Sequence, residues 1–272
     1  MKTLTSRDNP TFKELRDLMR DARRQRQEQR TLIEGTHLLA AALDHGVPPD
    51  LVAVSESAAA QSEIAALLAR LPAVPAVSLR DALFDEISEL AAPAGILARI
   101  AIPAAPADLP AGDCLLLDAV QDAGNVGTLL RTAAAAGVRD VLLGPGCAGA
   151  WTPRVLRAAQ GAHFALAIRE QAELPAFLKS YPGVSVATVA RDGTPLYDLD
   201  LAPPVAWLFG NEGAGLAPAL VAAAGRCVTI PLAAGSESLN VAAAAAVCLF
   251  EMRRQRAGRT MRKLGAGEAA PR

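Results

Sequence analysis

The sequence predicts an α/β protein of two domains, a small α/β domain followed by a larger one built on a parallel sheet. Short apolar, strand-like runs alternate with helical patterns along the whole chain. In the C-terminal half those runs are almost continuously apolar, as strands covered on both faces must be. A proline-rich stretch, "IPAAPADLPAGD", interrupts the alternation after residue 101 and reads as a linker. A length of 272 residues also favours two domains over one.

In the N-terminal region strands are expected at 31–35, 51–54, 75–79 and 95–100, with helices near 9–28, 36–45, 58–70 and 80–90. Asn9-Pro10 starts the first helix, a capping side chain followed by a proline whose missing N–H costs nothing in the first turn. After the linker, strands are expected at 114–120, 140–144, 164–168, 184–190, 205–210 and 227–232. The intervening helices fall at 126–136, 153–159, 172–180 and 217–224, and a long final helix runs from about 240 to 254. The division is therefore 1–101, linker 102–112, 113–256, and a basic, flexible tail at 257–272.

Composition narrows the class. Hydrophobic residues make up 51% and charged residues 20%, a globular balance that excludes a disordered chain. Apolar runs such as Val241–Phe250 reach about half the roughly 20 residues of a membrane span. The start, "MKTLTSRDNPTFKELRD", has neither the apolar core of a signal peptide nor the acid-poor character of a transit peptide, so a cytoplasmic protein is expected. Cys114, Cys147, Cys227 and Cys248 lie far apart, which suggests neither a zinc site nor a disulfide framework, and they read as buried thiols. His37, His45 and His163 show no spacing for a metal or a catalytic triad and read as structural. No metal is expected. Both ends are basic: residues 1–30 hold nine Lys/Arg against five Asp/Glu, and residues 251–272 hold seven against two. Such ends suit a phosphate backbone, although a solvated helix face and a solubilising tail would look the same.

In a parallel sheet, ligands bind beyond the carboxyl ends of the strands, and three loops there carry unusual polar content. The first is "QDAGNVGTLLR" with Asn125 and Arg131. "LFGNEGAGL" follows, three glycines around Asn211 and Glu212, and then "IPLAAGSESLNVAAAAAVCLFE" with Ser238 and Asn240 before a helix. Each has a plain conformational reading: a turn, an N-cap worth about 1 kcal/mol, a surface charge. Three together are harder to dismiss. The dinucleotide fingerprint G-x-G-x-x-G is absent after the strand at 114–120, as are a nucleotide-triphosphate loop and an H-E-x-x-H zinc helix, which weighs against a nucleotide-dependent oxidoreductase.

These three segments, with "DAVQDAGNVGTLLRTAAAAGV" in full, resemble the ordered motifs of the SpoU (TrmH-type) RNA ribose methyltransferases of the SPOUT superfamily, across residues 113–256. "SRDNPTFKELRDL" and "RTLIEGTHLLAAALDHG" are similar to the substrate-binding domain that precedes the catalytic domain in some members. The resemblance implies a deep trefoil knot, a homodimer whose sites borrow from the partner subunit, and S-adenosylmethionine bound in the knot. It implies that Arg131, Asn125, Glu212, Ser238 and Asn240 form the catalytic group. Leu208, Gly210, Ile230, Leu232 and Leu239 would hold the cofactor, mostly through backbone groups. Asn125 is expected to orient Arg131 or the ribose, and Glu212 to hold the arrangement. Ala123, where proline is common in the family, and Ala159, where serine is common, depart from the pattern. The expected activity is methylation of a ribose 2′-hydroxyl in structured RNA, ribosomal RNA first. A tRNA enzyme and a knotted RNA-binding assembly factor without catalysis remain open. Phe12, in the basic first helix, reads as core rather than as a base-stacking platform.

Overall fold

The computed structural model describes residues 1–267; residues 268–272, the end of the expected tail, lie outside the described residues. Two compact units emerge. The first comprises Met1–Ala104 and Gly149–Ala165, the second Ala105–Ala148 and the chain from Leu166 onward.

The first unit contains β1 (Lys2–Leu4), α1 (Pro10–Arg20), α2 (Ala22–Glu28), β2 (Arg30–Glu34), α3 (Thr36–Asp44), β3 (Pro49–Ser55), α4 (Ser62–Ala69), β4 (Ala76–Leu79), α5 (Asp81–Ile87) and β5 (Ile96–Ala101). Its five strands form one sheet in the order β1-β4-β3-β5-β2, parallel except where β5 runs against both neighbours. Helix α1 buries Phe12, Leu15, Leu18 and Met19 on the face that helical spacing sets, against Leu32, Leu79 and Phe84. Phe12 is thus core. The single helix expected over 9–28 is broken at Asp21, which ends α1 and whose carboxylate accepts from the Arg23 and Arg24 amides to start α2. An aspartate that can cap a new helix outcompetes one more turn of the old.

Helix α7 (Pro153–Ala159), expected within the C-terminal domain, clusters with this first unit. The Thr31 hydroxyl on β2 donates to the Trp151 carbonyl at 2.6 Å, and Arg154 and Arg157 both reach Glu89 at 3.2 Å. His163 is buried against Trp151, and burial lowers its pKa to about 4, consistent with a neutral structural imidazole.

The second unit contains β6 (Cys114–Leu117), α6 (Ala123–Ala136), β7 (Asp140–Leu143), β8 (Ala167–Arg169), α8 (Leu174–Ser180), β9 (Val184–Thr188), β10 (Thr194–Pro195), β11 (Val205–Phe209), α9 (Pro218–Ala223), β12 (Arg226–Thr229) and α10 (Val241–Gly267). All seven strands are parallel, in the order β10-β12-β9-β11-β6-β7-β8. The apolar runs that predicted such a sheet are its core: β6 and β11 are buried along their whole length. Cys114 and Cys248 are buried as expected, whereas Cys147 and Cys227 are only half-buried; all four are free. Helix α10 runs beyond the expected end near 254, through residues 257–267 of the expected tail. It is anchored by its own polar side chains: Arg256 pairs with Asp113 and donates to the Leu201 and Pro203 carbonyls, and Gln255 donates to Leu199. Among the described residues no helix is long and apolar enough to cross a membrane.

Candidate active site

The central strands β6 and β11 lie side by side, so their following loops leave the sheet together. Helix α6 begins three residues earlier than the sequence suggests, because the Asp122 carboxylate accepts from the Asn125 amide at 2.7 Å and caps it there. Asn125 therefore sits in the first helical turn with its side chain directed at the glycine loop after β11.

There it joins a relay. The Asn125 Nδ2 donates to Glu212 Oε1 at 2.9 Å, and its Oδ1 accepts from Asn240 Nδ2 at 2.9 Å. Asn240 Oδ1 in turn accepts from the amides of Ala242 and Ala243, capping α10. Asn240 is thus both the N-cap of α10 and a member of the relay. Glu212 also accepts from the Asp122 and Gln121 amides at 3.3 and 3.4 Å. Burial opposes ionisation of Glu212, but the hydrogen bonds from Asn125 and the backbone amides prevail and hold its pKa below the ordinary carboxylate value.

Around this relay lies a pocket of about 590 Å³, within the range of small-molecule sites. Gly210, Ile230, Leu232 and Leu239 line it, as do Glu212, Ser238 and Asn240. Leu232 and Leu239 are 37% and 39% exposed, apolar side chains presented to the opening. Leu208 does not line the pocket: its side chain is fully buried in β11 and its carbonyl accepts from the Thr188 hydroxyl at 2.8 Å. The end of β9, Thr188 to Ala190, forms a further wall that the three-loop reading missed. A threonine closing an apolar run at a strand's carboxyl end was the available signal.

Arg131 stands apart. Six residues beyond Asn125, it lies about a third of a turn around the helix, exposed on the face that also carries Gly124, Thr128 and Ala135. It does not line the pocket, and among the described residues it makes no hydrogen bond or ion pair. Asn125 makes no hydrogen bond to Arg131 within one chain; its amide joins Glu212 and Asn240 instead.

Comparison with known proteins identifies the family. The SpoU rRNA methylase family profile matches residues 114–250, and that of the MRM3-like substrate binding domain matches residues 9–98. The 23S rRNA (guanosine(2553)-2′-O)-methyltransferase RlmP of Bacillus subtilis is 33% identical over 263 residues, covering 93% of this chain and 100% of the relative. The crystal structure of the SpoU methyltransferase AviRb from Streptomyces viridochromogenes with AdoMet superposes with a TM-score of 0.84 at 25% identity, covering 92% of this chain and 98% of that one. An AdoMet-bound rRNA methyltransferase from Sinorhizobium meliloti gives 0.80 at 29% identity, covering 93% and 97%. With half of its length matched by the catalytic profile and nearly all of it shared with these relatives, the chain belongs to the SpoU rRNA methylase family.

Proposed function

We propose that this protein transfers a methyl group from S-adenosylmethionine to a ribose 2′-hydroxyl of ribosomal RNA. The observation that carries the reading is the relay from Glu212 through Asn125 to Asn240, which ties the three family loops together at one pocket. The pocket suits the cofactor: Gly210, with no room for a Cβ against Gly215 and Leu216, lets the loop close tightly beside it, and Leu232 and Leu239 offer apolar cover for a flat base. When bound, S-adenosylmethionine supplies the methyl group as part of a reactive sulfonium.

The chain's own part is positioning and charge. A ribose hydroxyl is a weak acid, so its oxygen needs stabilisation as it takes the methyl group and its proton passes to solvent water. Arg131 offers a planar guanidinium that grips an RNA phosphate and the developing oxyanion together. It faces away from its own relay, and the homodimer implied by the family brings it to the partner's pocket. The surface for that association is the outer face of α10, where Ala243, Val247 and the 48%-exposed Phe250 form an apolar stripe beside α6. Phe250→Asp is expected to convert the dimer to monomer in analytical ultracentrifugation and to abolish methyl transfer with it.

Glu212 provides a pH signature. Its folded-state pKa is depressed, so the loop clamp is fully present above the ordinary carboxylate value and is lost as pH falls through the lower, folded value. Affinity for S-adenosylhomocysteine should therefore hold from neutral pH into the mildly acidic range and then fall. Glu212→Gln replaces one of the two accepting oxygens by an NH2 and so sets a donor against the Gln121 amide or against the Asp122 and Asn125 donors; it should weaken that affinity about tenfold at neutral pH in calorimetry.

The function is tested by incubating the protein and labelled S-adenosylmethionine with RNA from a strain lacking the gene, followed by alkaline hydrolysis. A 2′-O-methyl group blocks cleavage at its own nucleotide, so label in alkali-resistant dinucleotides from ribosomal RNA supports the proposal. Label in tRNA moves the substrate. No label from a protein that binds S-adenosylhomocysteine overturns catalysis in favour of an RNA-binding factor.

A further inference from the structure

We infer that Asn211 is a positioning residue of this site: its side-chain amide holds Ala119 in a left-handed backbone conformation, so that the Gln121 and Asp122 amides converge on Glu212. The inference rests on the proposed role of the pocket. Ala119 has φ of 52°, a region that a Cβ disfavours. The other non-glycine residues with positive φ are glutamines and an aspartate, Gln29, Gln160, Gln171 and Asp192, whose side chains are able to hydrogen-bond locally. Alanine has no such means. Its conformation is imposed from outside.

The neighbouring backbone is fixed on both sides. The Asp118 amide donates to the Phe209 carbonyl at 2.9 Å, the Asp118 carboxylate accepts from the Ala217 amide at 2.8 Å, and the Val120 carbonyl accepts from Ala148 at 2.9 Å. Gly146 packs against Ala119, where an added Cβ would lie 3.2 Å from the alanine methyl. The Ala119 carbonyl accepts from Asn211 Nδ2 at 2.9 Å. Asn211 is itself immobilised: its backbone N–H and carbonyl pair with Gly215 at 3.0 and 2.9 Å, and its Oδ1 accepts from the Gly213 and Ala214 amides at 2.9 and 3.0 Å. With Oδ1 committed to two donors, Nδ2 has to face Ala119. Two consecutive residues thus grip the first loop by opposite polarities, Asn211 donating to a carbonyl and Glu212 accepting from amides.

That polarity makes the role testable. Asn211→Asp keeps the shape and the acceptor but sets a carboxylate oxygen against the Ala119 carbonyl, turning an attraction into a repulsion. Asn211→Ala loses the donor at every pH. Asp118, Asp122, Glu212 and Cys147 are the ionisable groups around the loop; all are unchanged in the variants, so wild type at each pH is the reference. Hydrogen exchange of the ligand-free, full-length protein should show Gln121 and Asp122 amide protection reduced about tenfold in Asn211→Ala at both about pH 5 and about pH 8. In Asn211→Asp, a carboxylate at both pH values because its oxygen keeps the Gly213 and Ala214 amides, the loss should exceed that of Asn211→Ala at both, and S-adenosylhomocysteine affinity should follow the same order. Unchanged protection in Asn211→Ala, or protection in Asn211→Asp that equals or exceeds that of Asn211→Ala, overturns the inference. A wild-type protein that shows the protection yet methylates no RNA overturns the proposed function and leaves this clamp standing.

Discussion

Arg131→Ala is expected to lower kcat for methyl transfer by about 10³-fold while leaving thermal stability and S-adenosylhomocysteine affinity at wild-type values. The structure sets up this separation: Arg131 is exposed, does not line the pocket and braces nothing among the described residues. Arg131→Lys should fail nearly as badly, because a point charge cannot grip a phosphate and an adjacent oxygen with one planar group. Variant mixing tests the proposed shared site directly. A pocket-dead variant supplies an intact Arg131, and Arg131→Ala supplies an intact pocket. In the proposed homodimer half the pairs in an equal mixture are hybrids with one complete site, so about a quarter of wild-type activity should return. No recovery would mean that Arg131 serves its own chain.

The pocket-dead variant is Gly210→Ala, which carries the second large effect. A Cβ at this position would sit 2.3 Å from the Gly215 carbonyl carbon and the Leu216 nitrogen, and 2.4 Å from the Gly215 oxygen. Every one of these atoms is backbone, and the paired hydrogen bonds between Asn211 and Gly215 close the same turn. The methyl group has to open the loop. S-adenosylhomocysteine affinity should fall by about 100-fold or more, and overpacking should cost about 1–3 kcal/mol, a fall in Tm of several degrees. Wild-type affinity in Gly210→Ala, measured by calorimetry, would refute the tight turn.

Much of this site was legible as pattern. Apolar runs of four to six residues ending in glycine and polar side chains marked the carboxyl ends of β6 and β11, and strand adjacency did the rest. The residue roles came from family resemblance, since nothing local in "GNVG" or "GNEG" says that Asn125 will meet Glu212. What pattern missed has physical causes. Strand β1 is three residues long, too short for periodicity, and exists only through pairing with β4. The Asp21 break depends on which backbone amides are left without partners, which helical spacing does not encode. The Thr188 wall was hidden because β9 ends without a glycine. The outward turn of Arg131 follows from the phase of α6, which buries Val126, Leu129, Leu130 and Ala133 on the opposite face.

The relay has a direction. Asn240 donates to Asn125 and Asn125 to Glu212, across sequence separations of 115 and 87 residues. Each amide is locked in its orientation by the ends of the line, a carboxylate that only accepts and a helix start that only donates. For protein engineering this makes the three loops a single exchangeable cassette. Grafting one of them from a relative with a different polarity at its join leaves two acceptors or two donors face to face. Specificity swaps within the family should therefore succeed when all three loops move together and fail when they move singly.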